Sequence, residues 1–309
     1  MENATPDKPA PPFNREAAAT PGVLERVAPS LRRILADNPS PFTFQGTNTY
    51  VVGEGDVAVV DPGPNDAAHR EALLAALRAT GERVASIILT HAHPDHSAGI
   101  PALKAATGAV TYAYGRPHDA AAVRTPSGKD VIDLAFRADE KLRDGDRLEA
   151  GGVAIEALHT PGHAPDHLCL ALPASKTLLS GDHVMGWNTS VVAPPEGRMG
   201  DYMRSLERLL PRDDVAYFPG HGGRIDEPQR LVKAFIVHRR WREAEIVDCL
   251  RAGLNTVRQI VPRIYAQLDD ALHGAAALGV YAHIELLLET GRVKSPDPLG
   301  MEARFYPAE

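Results

Sequence analysis

Thr90-His91-Ala92-His93-Pro94-Asp95-His96 is the stretch whose reading decides the fold. It follows Val84-Ala85-Ser86-Ile87-Ile88-Leu89, a run rich in β-branched residues and too short for a helix, which reads as a buried strand. His91, His93, Asp95 and His96 therefore crowd into the loop where a core strand ends. A helix would send i and i+2 to different faces, so a loop is the geometry that lets His91 and His93 share a centre. Pro94 stiffens that loop and removes one backbone donor from it. Imidazoles mixed with a carboxylate form a donor set suited to zinc or iron. Surface histidines or a helix cap would account for one such residue, but poorly for this spacing.

Outward from that loop, the same arrangement recurs. Thr49-Tyr50-Val51-Val52 and Val57-Ala58-Val59-Val60 flank a turn-rich connector and predict a hairpin, after which Asp61-Pro62-Gly63 stops the second strand. Asn65 is placed to cap a helix over residues 65–79, with Leu73, Leu74 and Leu77 on one face. A helix over 98–107 ends at Gly108, and a strand follows over 110–114. Residues 115–137 have weak periodicity and read as a surface insertion. A strand over 153–158 runs into His159-Thr160-Pro161-Gly162-His163. Paired strands over 168–172 and 177–179 lead to Ser180-Gly181-Asp182-His183. After an amphipathic helix over 202–210, the strand Val215-Ala216-Tyr217-Phe218 precedes Pro219-Gly220-His221-Gly222. Residues 23–34 have no decisive period. Asp61, His91, His163, Asp182 and His221 each follow a short apolar strand, so separate strand ends can deliver them to one rim of an α/β scaffold.

From residue 231 the pattern is helical: helices over 231–251, 256–265 with Thr256 as cap, and 278–289 ended by Gly291, then a short strand at 292–294. This divides the chain into a tail (1–20) read as disordered, a catalytic domain (21–230) and a small helical domain (231–309). Basic residues of the last part are offset by acidic ones, so a DNA-reading role is disfavoured. Its helices offer a homodimer surface as readily as a substrate wall.

Composition narrows the remaining classes. The 309 residues, 44% of them hydrophobic, suffice for two domains with a sizeable core. A net charge of -7 gives no global attraction to nucleic acid. No apolar run is long enough to span a membrane and the start lacks a secretory pattern, so a cytoplasmic location follows as the default. Cys169 and Cys249 are the only cysteines and read as buried free thiols; a cysteine-based zinc site is excluded.

The His-X-His-X-Asp-His stretch resembles the signature of the metallo-β-lactamase superfamily, and the order of the C-terminal elements resembles a winged-helix subgroup that includes single-strand-directed endoribonucleases. The resemblance implies an αββα sandwich followed by a small helical winged-helix-like domain. It assigns His91, His93 and His163 to one metal site, Asp95, His96 and His221 to a second, and Asp182 to a bridge between them. Asp95 and Asp182 are then the catalytic carboxylates. Three imidazoles leave one tetrahedral position open, the arrangement of catalytic zinc, and two ions can share a hydroxide as nucleophile. The cofactor expected is a pair of divalent ions, zinc before iron or manganese. Asp61 would hold the His loop by hydrogen bonds. Asn48, His159, His167 and His183 are further candidates for holding the ligands or meeting substrate. His69, His118, His238, His273 and His283 read as surface or packing residues. The reading is a two-metal hydrolase of an ester, thioester or related acyl substrate. Cleavage of single-stranded RNA and a non-catalytic metal-binding interaction module are the alternatives, and β-lactam hydrolysis is at most a side activity.

Overall fold

The computed structural model describes residues 10–16, 19–115, 133, 135–269 and 272–308. Two sheets stack face to face. The first contains β1 (Glu25–Ala28), β2 (Leu31–Leu35), β3 (Asn48–Val52), β4 (Asp56–Val60), β5 (Arg83–Ile88), β6 (Val110–Ala113) and β7 (Glu140–Lys141) in that order. It is antiparallel through β4 and parallel from β4 to β7. The second comprises β8 (Arg147–Ala150), β9 (Val153–His159), β10 (Leu168–Leu172), β11 (Thr177–Gly181) and β12 (Ala216–Pro219), antiparallel except for the β11–β12 pair.

Period-two alternation sorts the side chains. Tyr50, Val52, Ala58, Val60 and Ile88 point inward to meet Ile155, Ala157, Leu168, Leu170, Leu179 and Phe218 of the second sheet. Val51, Val57, Val59 and Ile87 point the other way, onto Leu73, Leu74 and Leu77 of α1 (Ala67–Ala79) and Leu103 of α3 (Ile100–Thr107). The outer face of the second sheet, with Cys169, Ala171, Leu178 and Tyr217, packs on α4 (Met199–Leu209) and the start of α5 (Pro228–Arg251). This is the expected αββα order. Between β5 and α3 lies α2 (Pro94–Ser97), a single turn that carries Asp95 and His96.

A last core joins the far half of α5 to α6 (Val257–Ile264), α7 (His273–Glu289) and the two-stranded pair β13 (Val293–Lys294) with β14 (Tyr306–Pro307). The composition shift at 231 thus falls in the first turn of a helix shared by both cores. Among the described residues, no helix is long and apolar enough to cross a membrane.

Several local expectations shift. Asp66, not Asn65, caps α1, its Oδ1 accepting Ala68 N–H at 2.8 Å, because a turn from Pro64 delays the helix start by one residue. The helix expected over 98–107 begins at Ile100, with Pro101 in its first turn. Residues 23–34 form the β1–β2 hairpin, turned by a left-handed Ser30. The last helix starts at His273, ahead of the position where its periodicity becomes readable past Gly274 and the alanines. Residues 10–16, expected within a disordered tail, are docked. Asn14 N–H bonds to Gly186 O at 2.8 Å, Arg15 Nε donates to Trp187 O, and Phe13 meets Phe235 edge-on. The expected insertion over 115–137, with His118, lies largely outside the described residues.

Candidate metal centre

Each candidate donor stands where a buried strand gives out. β5 ends at the His loop, β9 leads to His163, β11 to Asp182 and β12 to His221. The loops are bonded to one another as well as to their strands: Leu168 N–H to Thr90 O at 2.8 Å, Gly220 N–H to Gly181 O at 2.9 Å, and Asn48 N–H to Gly220 O at 2.8 Å. The rim is therefore a continuous backbone frame.

Seven donor groups converge on it. His91 Nε2 and His163 Nε2 lie 2.9 and 3.0 Å from His93 Nδ1. Beside them, His221 Nε2 lies 3.3 Å from His96 Nε2 and 3.2 Å from Asp95 Oδ2. Asp182 stands between the trios. Its Oδ2 is 3.6 Å from His163 Nε2 and 3.3 Å from His221 Nε2, and its Oδ1 is 3.6 Å from His96 Nε2. The ligand sets written from the sequence are thus brought together, and the groups His91–His93–His163, His91–His96–Asp182 and Asp95–His96–His221 can each hold a metal ion.

The far side of each ring fixes its tautomer. Thr90 Oγ1 donates to Asp61 Oδ2 at 2.7 Å, so it accepts from His91 Nδ1–H at 3.0 Å. His96 Nδ1–H bonds to Asp61 Oδ2 at 2.9 Å, His163 Nδ1–H to Val191 O at 2.6 Å and His221 Nδ1–H to Gly46 O at 3.1 Å. Committing Nδ1 as donor aims Nε2 at the centre. A single proton can join only one pair among His91, His93 and His163; a cation satisfies all three. Asp182 Oδ1, buried with no hydrogen-bond partner, makes the same demand. The residues present fit a metal.

Electrostatics divide the trios. Burial, reinforced by neighbouring imidazoles, pushes His91 well below the usual histidine range and His93 to about 3; burial likewise lowers His163. These rings are neutral and available as ligands. Burial opposes charge at His96 and His221 too, but Asp95 and Asp182 outweigh it, raising His96 well above its ordinary value and His221 to about 9. The same imidazoles, against the effect of burial, hold both carboxyls below their usual range.

The remaining candidates separate. Asp61 takes Thr90 N–H at 2.8 Å as well as Thr90 Oγ1 and His96, and holds the loop. His167 Nε2 accepts Asp182 N–H at 3.1 Å, so its Nδ1–H donates to Thr160 Oγ1; burial keeps this ring neutral. Asn48 is buried, its amide donating to Pro219 O and Gly222 O behind His221, so it braces that loop. The His183 ring packs against Tyr202 and burial takes its pKa down to about 3. His159 stacks on Tyr114 and bonds to Pro165 O, away from the donors. Thr90, the carbonyls of Val191 and Gly46, and Asp166, which accepts Ala92 N–H, were missed in the sequence; only Thr90 gave a signal, as the first residue of the motif.

The metallo-β-lactamase superfamily pattern matches residues 42–221. The chain belongs to that superfamily. A β-lactamase-associated winged-helix domain matches residues 256–298, so this is a superfamily hydrolase with the C-terminal addition that the element order suggested. Among its superfamily relatives, the beta-lactamase-like protein 2 homolog of Caenorhabditis elegans is 32% identical over 88% of this chain and 89% of its own. The atrochrysone carboxyl ACP thioesterase of Claviceps purpurea is 30% identical over 80% of this chain and 76% of its own. The crystal structure of a metallo-beta-lactamase family protein from Thermus thermophilus superposes with a TM-score of 0.73 at 25% identity, covering 91% of this chain and all of the other.

Proposed function

We propose that this hydrolase works with two zinc ions on an ester, thioester or related acyl bond. One observation supports the reading above the rest: two donor trios converge on either side of a single buried carboxylate, Asp182. His91, His93 and His163 would hold the first ion, Asp95, His96 and His221 the second, and Asp182 both. A structural zinc takes four protein donors of its own, whereas here two trios have one carboxylate, Asp182, between them. That geometry counts against an interaction module without turnover. When bound, the ions supply water activation and Lewis acidity, which makes a Ser or Cys nucleophile unnecessary.

The chain's own residues do the rest. Asp61, Val191 O and Gly46 O aim the imidazoles, and His167 holds the backbone of Asp182. Asp95, with 29% of its side chain exposed where Asp182 has 9%, stands at the solvent edge, where a proton can be passed to or from the reacting group. Buried, unpaired Cys169 and Cys249 suit a reducing compartment.

The acyl assignment draws on the loops that aim the imidazoles. Val191, whose carbonyl binds His163, exposes 37% of its surface, and Phe42, on the loop that supplies Gly46, exposes 51%. Exposed apolar side chains on these loops suit an acyl group better than a phosphodiester backbone, which calls for cations. The relative named as a thioesterase supports the same choice. Single-stranded RNA is the second reading, favoured by the winged-helix match. In the C-terminal part from residue 231 on, though, Arg242, Arg251, Arg292 and Arg304 are paired with Glu245, Asp248, Glu243 and Asp297. The test is a parallel assay on S-lactoylglutathione, a lactone, nitrocefin and single-stranded RNA, with His93→Ala as control. The expected result is acyl turnover that the control loses along with bound zinc. RNA cleavage with every acyl compound untouched would overturn it.

A further inference from the structure

We propose that Arg239, on α5, is a positioning residue for His163, so that the helical C-terminal part of the chain braces one of the two ligand trios. The inference rests on the assignment of His163 as a ligand and adds a residue that no metal-site motif contains.

The donors differ in what stands behind them. His91, His96 and His221 are backed by Thr90, Asp61 and Gly46, all on loops of the first sheet. His163 is backed by the carbonyl of Val191, on a stretch with neither helix nor strand between β11 and α4. Such a stretch has no ladder to hold it, so its position depends on side chains that reach it from elsewhere.

Arg239 reaches it. The residue is 8% exposed, and its guanidinium lies over the Tyr202 ring at 5.1 Å and donates from Nη2 to Ser190 O at 2.5 Å, one residue before Val191. Its charge is directed at that carbonyl and that ring. Two hydroxyls tie down the same loop: Ser190 Oγ and Tyr202 Oη both donate to His183 O, at 2.8 and 2.9 Å. The other side of His163 is tethered to the helical part as well. Gly162 O accepts Arg198 N–H at 2.9 Å, and the Arg198 guanidinium pairs with Glu289 at the end of α7. A merely structural arginine would stabilise the α4–α5 contact and leave the two trios equally competent. A positioning one acts on the first trio alone.

Full-length wild type, Arg239→Met and Arg239→Gln are loaded with zinc and titrated with a chelator, and amide deuterium exchange is followed on the metal-free proteins. Glutamine keeps a polar end against Tyr202 but is too short to reach Ser190, and it serves if methionine impairs folding. The expected result is that the first trio's ion is held about 10–100-fold more weakly while the second changes by less than about threefold. Exchange at Ser190 and Val191 rises in the metal-free variants while α5 stays protected. Equal loss of both ions, or unchanged exchange at Ser190 and Val191, overturns the proposal. Wild type that binds no zinc would sink the metal reading instead, and the exchange comparison still decides the role of Arg239.

Discussion

Gly220 shows how little room the Asp182 carboxylate has. A Cβ there would come within 2.5 Å of Asp182 Oδ1 and 2.7 Å of His96 Cε1. Gly220→Ala must push one of them aside, and a displacement of that size at reacting groups costs on the order of 100-fold. The expected outcome in steady-state assays is a loss of about that size in kcat, with a melting temperature close to wild type. Asp61 makes a different demand. Its φ of +51°, uncommon for a residue with a Cβ, turns the carboxylate back onto three donors from Thr90 and His96. Asp61→Asn sets an amide N–H₂ against N–H and O–H groups, and zinc affinity measured by chelator competition is expected to fall about 10–100-fold. At this scale the sequence could be read wherever side chains supply the candidate donors, because histidine and aspartate after an apolar strand leave a pattern. It was silent where backbone carbonyls act, since any residue supplies the oxygen that Val191 and Gly46 present. Proximity to a motif also proved a poor guide: His159 and His167 are equally near His163 in sequence, yet only His167 turns beneath the site.

Elements were legible in proportion to how strongly one period dominated. Most strands that lead to the candidate donors were readable from their short apolar runs, and α4 was readable from its apolar stripe. The β1–β2 hairpin was not, because Arg26, Arg32 and Arg33 interrupt the alternation; Arg32 is buried against Glu82 and Gly53 O, a pairing across the fold that no local pattern reveals. The long helix α5 was legible as a helix but not as a hinge between cores. Its first half puts Leu231, Val232, Phe235 and Ile236 against Tyr202, Met203 and Leu206 of α4, and its second half puts Ile246 and Leu250 into the core with α6 and α7. Phe235 is fully buried there, so Phe235→Ala is expected to cost about 3–5 kcal/mol in denaturant unfolding. A chain cut before α5 would expose the apolar face of α4, and sedimentation of that truncation is expected to show aggregation, not a free sandwich.

Across the molecule, buried histidines are held in two electrical states, which makes stability depend on pH through several opposed contributions. His96 and His221, which face both Asp95 and Asp182, are raised, while rings such as His163 and His283 are lowered. His283, on α7, belongs to the second kind. Burial first, and then the guanidinium charges of Arg239 and Arg242 on α5, hold it well below the ordinary value of 6.5, and neither ring nitrogen has a hydrogen-bond partner. In the unfolded chain the same ring titrates near 6.5, so below that pH the unfolded state binds a proton that the folded state refuses. Unfolding is then favoured by about 1.4 kcal/mol for each further pH unit, until the folded-state pKa is reached. Above 6.5 both states are neutral and the contribution is constant. His283→Gln removes this proton uptake while leaving the donors in place. The difference in unfolding free energy between wild type and variant, measured by denaturant titration, is expected to be flat above pH 7. It should shift in the variant's favour as the pH drops from about 6.5 to 5. A difference that stays flat throughout would mean that His283 accepts its proton in the folded protein, and that the α5–α7 contact tolerates a third positive charge.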